Sequence, residues 1–250
     1  VIVLVLLRQR VRLERSQLLD LIIVAAILTA LPFALIAFAQ TRVTSILAGL
    51  LNATTPMWVA IFVALIIPAE RATRRQGLGL VLGFVGIGVL LGVWNVDELD
   101  AIGVLAMLGA TACYGFGTAW MRWRLAGSSL SGVSLSAVQL VIATALLLPV
   151  LPLGGAPSEV RVESVLALIG LGVFGAGLAY VLFWRVVRTA GPTIAATVTY
   201  LIPLVSTTLG IVVLGEELTW NQPIGGAIAL IGVALAQGLI GSRQRALAKT

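Results

Sequence analysis

Residues 41–56 read TRVTSILAGLLNATTP, and residues 188–203 read RTAGPTIAATVTYLIP. Laid over one another at an offset of 147, Ala48 meets Ala195, Leu51 meets Val198 and Pro56 meets Pro203. Further on the offset becomes 146: Glu70 meets Glu216, Thr73 meets Thr219, Gln76 meets Gln222, Gly79 meets Gly225 and Gly86 meets Gly232. Any apolar helix resembles another, so the aliphatic matches carry little weight. The order of a proline, then Glu-x-x-Thr-x-x-Gln, then glycines is harder to obtain by chance, and it marks an internal repeat.

The sequence around the repeat is that of a membrane protein. Of 250 residues 60% are hydrophobic and 10% are charged, with a mean hydropathy of +1.10. Soluble domains have about 45–50% apolar and about 25% charged residues, so there is too little polar surface here to cover a water-soluble core. A hydrocarbon layer about 30 Å thick takes about 20 apolar residues per helix. Runs of that length lie at 18–39, 43–67, 76–94, 101–121, 131–151, 164–184, 191–214 and 222–241. They are continuous where the strands of a barrel would alternate. The fold class is all-α and polytopic, with eight full spans.

Arginine placement sets the orientation, because basic residues favour cytoplasmic loops. One set of span ends holds Arg8, Arg10, Arg12, Arg15, Arg71, Arg74, Arg75, Arg122, Arg124, Arg185, Arg188, Arg243, Arg245 and Lys249, which are 14 of the 16 basic residues. The other set has Arg42 and Arg161 alone, beside Asp97, Glu98, Asp100, Glu159, Glu163, Glu216 and Glu217. The net charge of +6 is therefore a topology signal, not a nucleic-acid footprint. It predicts a multi-pass protein of the plasma membrane, a bacterial inner membrane, with its C-terminus in the cytoplasm.

The two copies lie five spans apart, an odd number, so they are inverted with respect to each other. A five-span unit used twice makes ten spans. Val1–Leu7 is purely apolar and runs into the Arg8–Arg15 cluster, which reads as the cytoplasmic end of an earlier helix. The expectation is a ten-helix, five-plus-five inverted repeat lacking its first helix and most of its second. Residues 1–94 form a truncated first repeat, 101–241 the second, and 242–250 a cytoplasmic tail.

At Leu51-Asn52-Ala53-Thr54-Thr55-Pro56, through Ala69-Glu70-Arg71 and on to Gly77–Leu91, the chain resembles the EamA-type permeases of the drug/metabolite transporter superfamily. The second half repeats the likeness at Thr199-Tyr200-Leu201-Ile202-Pro203, Gly215–Thr219 and Gly225–Leu235. The resemblance covers nearly the whole chain and implies ten helices in two inverted halves, alternating access and a central cavity. It implies no particular substrate.

The residues themselves offer no carboxylate in mid-membrane: Asp20, Glu70, Arg42, Arg185, Glu216 and Glu217 all fall at or near span ends. Glu70 and Glu216 are expected to cap helices or anchor at the interface. The polar groups that remain cluster beside the paired prolines. Asn52, Thr54 and Thr55 precede Pro56, and Thr197, Thr199 and Tyr200 precede Pro203. A helix proline frees a carbonyl and kinks the chain, and in lipid the freed group needs a neighbour or cavity water. Kinks at matching positions in both halves point to a midplane site; the bland alternative is hydrogen-bonding glue between helices. Trp58, Tyr114, Gln139 and Tyr180, within spans, complete the cavity candidates with Thr199, Tyr200 and Pro203. Trp94, Trp123 and Trp220 at span ends read as interfacial anchors. Gly79-x-x-x-Gly83, Gly88-x-x-x-Gly92 and the run Gly170, Gly172, Gly175 and Gly177 read as small-residue packing stripes.

There is no histidine and one cysteine, Cys113. An intramembrane enzyme needs a nucleophile–base pair, a metal cluster or paired carboxylates, and those parts are missing, so no metal, cofactor or catalytic residue is assigned. The expected function is a permease for a small metabolite, amino acid or drug-like compound, moved outward. The partners are that substrate and membrane lipid, with a homodimer left open. The competing reading is a non-transporting membrane scaffold or complex subunit.

Overall fold

The computed structural model describes residues 15–67, 73–92, 94, 100–125, 132–150, 161–179, 182 and 198–237. No strand occurs among them. Helix α1 (Arg15–Ala25) passes through a π-helical turn, Ala26–Ala30, into α2 (Leu31–Ala39). Helices α3 (Ser45–Asn52) and α4 (Thr55–Ile66) are two parts of one span. Then come α5 (Arg74–Leu91), α6 (Ala101–Leu125), α7 (Gly132–Leu147), α8 (Val162–Gly170), α9 (Val198–Leu214) and α10 (Asn221–Ala236). Each of these segments falls on one of the eight apolar runs. Gln17–Ala39, Ser45–Ile66, Arg74–Leu91 and Ala101–Leu125 are long and apolar enough to cross a membrane, and the other four apolar helices are shorter.

Local chemistry sets several of these boundaries. Thr73 Oγ1 accepts from the Gln76 N–H and Gln76 Oε1 accepts from the Thr73 N–H, a capping box that starts α5. In the second copy the Thr219 N–H donates to Gln222 Oε1 at the start of α10. The repeated Thr-x-x-Gln is thus a helix-start signal, filling N–H groups that have no partner within the helix. Gly92 ends α5 in the left-handed conformation (φ 62°). The π-turn at Ala26–Ala30 surrounds the carbonyl of Leu28, which Pro32 cannot serve, having no N–H four residues on.

The helices gather into two compact units, residues 1–30 with 127–198 and residues 31–126 with 199–250. Each draws on both sequence halves. In the first, Ala25, Ala30 and Ala143 form a small core with Ile142 and Leu147. Helix α8 continues there as a π-helical stretch, Leu171–Leu178. Of the glycine stripe expected to pack here, a Cβ added at Gly170 or Gly172 would meet nothing within 4 Å among the described residues, and one at Gly175 would meet Leu171 of the same stretch.

The second unit is built on α5 and α10. These run antiparallel, with backbone against backbone. A Cβ added at Gly79 would collide with Ala236 and Gly232, one at Gly86 with Ala229, one at Gly225 with Leu90 and one at Gly232 with Gly83. Only glycine permits this approach. The packing face of α5 is therefore Gly79, Gly83 and Gly86. Of the expected Gly88-x-x-x-Gly92 pair, Gly88 faces open space and Gly92 is the left-handed cap. Around this seam Ile46, Leu51, Met57, Leu90, Met107 and Val233 make a buried core. Large apolar side chains such as Leu65, Leu78, Leu105 and Val212 lie bare on the outside, as lipid contact requires.

Candidate functional site

The span from Ser45 to Ile66 is interrupted where Pro56 demands it. Helix α3 stops at Asn52, Ala53 and Thr54 form a turn, and α4 starts at Thr55 with Pro56 in its first turn, where a missing N–H costs nothing. By the helical rise Asn52 lies about 10 Å along the axis from Ser45, so the break occupies the interior of the span. Without the Pro56 N–H, the Asn52 carbonyl would be left over. The Thr55 hydroxyl donates to it at 2.8 Å, and the Thr54 hydroxyl donates to the Leu51 carbonyl at 2.7 Å. Both threonines therefore serve their own chain, and neither acts as glue to a neighbouring helix.

One group is left over. Among the described residues, Asn52 Oδ1 is buried and has no hydrogen-bond partner. A buried polar atom left unsatisfied costs about 1–3 kcal/mol, and native structures contain few of them.

Beyond the break the walls are aromatic. Trp58 on α4 lies 6.3 Å from Phe62 and packs edge-on against Phe84 of α5 at 6.0 Å. Phe62 meets Phe116 of α6 at 5.4 Å, and Phe116 stacks on Trp120. Helix α6 comes this close because residue 115 is glycine; a Cβ there would collide with Trp58. Tyr114, its neighbour on α6, is half-buried.

Of the residues singled out in the sequence, the second unit brings Asn52, Thr54, Thr55, Pro56 and Trp58 into one continuous stretch, with Tyr114 on the helix packed against it. Pro203 is buried in α9, and the Ser206 hydroxyl donates to its carbonyl at 3.1 Å. Thr199 and Tyr200 belong to α9, but their side chains lie outside the described residues, as does Tyr180. Gln139 sits in the first unit, buried, donating through Nε2 to Thr29 Oγ1 at 2.7 Å. That is interhelical glue. Asp20, near the start of α1, is buried as well.

A second cluster was not foreseen. At one end of the second unit a cavity of about 370 Å³ is lined by Arg42, Val43, Thr44, Leu47, Leu90, Leu91, Gly92, Trp94, Asp100, Thr219, Trp220, Asn221 and Gln222. Arg42 Nη1 donates to Asp100 Oδ2 at 3.1 Å, and the Gly103 N–H donates to Asp100 Oδ1 at 2.8 Å. The Gly103 N–H, with Arg42 beside it, holds the Asp100 carboxyl below its ordinary pKa. Trp94 and Trp220 stack 5.3 Å apart and 16° from parallel. Next to the cavity Glu216 accepts from the N–H groups of Ser45 and Ile46 at 2.7 and 2.8 Å. It caps a helix, as expected, but a helix 170 residues away. Glu70 lies outside the described residues. The clue to this cluster was Arg42 itself, one of two basic residues on the acidic side.

Among the described residues no group of three or more His, Cys, Asp or Glu could hold a metal ion.

The sequence matches the model of the EamA-like transporter family over residues 1–92 and 101–237. An uncharacterized transporter of Bacillus subtilis is 27% identical over 164 residues, 63% of this chain and 52% of that protein. An uncharacterized transporter of Archaeoglobus fulgidus is 27% identical over 184 residues, covering 70% of this chain and 62% of that one. One of Clostridium kluyveri is 22% identical over 231 residues, covering 90% and 73%. The matched stretch thus spans 52% of the length of the first relative and 62% of the second. A solved crystal structure 22% identical shares the fold with a TM-score of 0.60, over 95% of this chain and 83% of that one.

Proposed function

The chain belongs to the EamA-like transporter family, and from that premise we propose that this multi-pass membrane protein carries a small neutral or zwitterionic metabolite, amino acid or drug-like compound outward by alternating access. The substrate site we assign is the break at Asn52–Pro56 with Trp58 and Tyr114, joined from the second half by Thr199, Tyr200 and Pro203. The observation that carries this reading is the orphaned Asn52 Oδ1 at a proline break inside a span. A polar acceptor placed there at a cost, with nothing to bind, fits a ligand or cavity water that binds and leaves.

The inverted ten-helix repeat is part of the proposal, and the α5–α10 seam supports it. Exchanging residues at a spacing of 146 turns the contact of Gly79 with Ala236 into that of Gly225 with Leu90. The same exchange turns Gly232 against Gly83 into Gly86 against Ala229. Contacts that map onto themselves are what a two-fold axis through an antiparallel helix pair produces. The family match in two stretches, 1–92 and 101–237, is consistent with two copies. In this orientation the C-terminus is cytoplasmic and the Arg42 cavity opens on the outer side.

The test is flux in proteoliposomes containing the complete gene product, using a labelled panel of neutral and zwitterionic metabolites. One or more compounds should cross in a protein-dependent way, faster in the cytoplasm-to-outside direction, and Asn52→Leu should abolish that flux without lowering the melting temperature. Flux unaltered by Asn52→Leu would remove the site; no flux across the panel would remove the permease.

A further inference from the structure

We propose that the cavity at the Arg42 end of the second unit is a separate binding site for a small carboxylate with a flat apolar body. The cavity measures about 370 Å³, within the range of ligand pockets. It also mixes directed charge with bare aromatic surface.

Arg42 supplies the recognition of the acid. A guanidinium carries five N–H donors in a planar fork, and among the described residues the Arg42 side chain makes one hydrogen bond, through Nη1 to Asp100. Its guanidinium also rests 4.8 Å over the Phe38 ring, so the fork is held while other donors stay available. Asp100 does not close the site, because Oδ1 caps α6 through Gly103 and Oδ2 steadies Arg42. Net charge therefore does little here, and aimed donors do more.

Helix ends reinforce that preference. Thr44, Asp100 and Trp220 place the N-termini of α3, α6 and α10 along the wall, each bringing a partial positive charge. Two are already answered, α3 by Glu216 and Thr44 and α6 by Asp100. At α10 the Gln222 N–H is met by the Thr219 carbonyl, and the cap residue Trp220 adds no side-chain bond.

The flat body is read from Trp94 and Trp220. They are 56% and 64% exposed, although stacked on each other, and they line the cavity. Anchoring in lipid headgroups accounts for tryptophan at a membrane boundary but not for a stacked pair beside an arginine with donors to spare. An aromatic acid, zwitterions included, would set its ring on an indole face and its carboxylate on Arg42. A lipid phosphate offers the same anionic chemistry, and the test separates the two.

The complete protein in nanodiscs of uncharged lipid is dialysed against 2-naphthoate and against 2-naphthylmethylamine, which has the same ring and the opposite charge. Naphthoate should bind at least about tenfold more tightly, the scale of one charge-assisted hydrogen bond. Arg42→Gln should remove that preference, Arg42→Lys should keep part of it, and the pair Trp94→Ala, Trp220→Ala should weaken both probes. Equal binding of the two probes, or naphthoate binding indifferent to Arg42→Gln and Arg42→Lys, overturns the proposal. So does loss of binding when phosphatidylglycerol replaces the uncharged lipid, which would give the site to a headgroup. Naphthoate binding that survives Asn52→Leu, while flux does not, separates this site from the break. Binding lost in Asn52→Leu but kept in Arg42→Gln would leave the break as the sole site and refute this one.

Discussion

The α5–α10 seam and the α3–α4 span sit side by side in one unit and treat the helix backbone in opposite ways. Along the seam a glycine stands on at least one side of each close contact, the backbones touch, and both helices run on as continuous α-helix. Across the break the ladder is cut, and two threonine hydroxyls repair most of the cut from within the same chain. The difference separates a rigid axis from a place where polar groups can meet a ligand. Lipid allows an open ladder only where the surroundings serve it, so a cut left partly unrepaired at Asn52 carries information that an intact helix does not.

The comparison can be broken most severely at the seam. Gly225→Leu drives a side chain into the Leu90 backbone, and the expected cost exceeds about 4 kcal/mol, seen as loss of monodisperse protein on size exclusion. Gly88→Leu on the same seam helix pair enters open space and should leave the elution profile unchanged. If both variants behave alike, the seam is not a close contact.

At the break the expected effects are smaller. Thr55→Val leaves the Asn52 carbonyl without its hydroxyl donor and should cost about 1–3 kcal/mol, read as a lower melting temperature, with Thr55→Ser restoring most of it. Asn52→Leu has the opposite sign: removing a buried, unsatisfied amide oxygen should hold or raise the melting temperature while flux is lost. A fall in stability would mean that the amide has a partner.

The smallest effect belongs to the Arg42–Asp100 pair, which is exposed and screened. Because the Asp100 pKa is lowered on folding, its contribution is present above the ordinary carboxylate pKa. That contribution is lost as pH falls through the lower folded value. Melting curves of Asp100→Asn and the parent protein should therefore converge on acidification; curves that stay equally far apart at low pH would contradict this.

That the chain is all helix in long apolar runs was legible because lipid favours such runs and allows few charges; four of the described helices are long enough to cross it. The break was legible too, since asparagine and two threonines before a proline are unusual in an apolar run. The direction of the hydroxyls was not: Thr54 and Thr55 could have faced a neighbour or their own carbonyls, and side-chain torsions decide that. Gln139 read like Asn52 in the sequence, yet it found Thr29 as a partner from another span, a pairing that spacing does not encode. The Arg42 cavity was hidden for the same reason, being assembled from the turns before α3, α6 and α10. Glu216 and Ser45 meet across 171 residues of sequence. The repeated Thr-x-x-Gln was visible as a pattern long before its role in starting two helices was.

The central claim, that the break meets water and substrate while the seam does not, is tested most directly by cysteine accessibility. In a background freed of cysteine, with Cys113→Ser removing the one thiol of residues 1–250, a cysteine placed at Asn52 and one placed at buried Leu90 are each exposed to a membrane-impermeant maleimide in proteoliposomes. The account predicts that the thiol at 52 reacts, at a rate that changes when a transported compound is added, while the thiol at 90 stays unmodified. A thiol at 52 as inert as the one at 90 would contradict it.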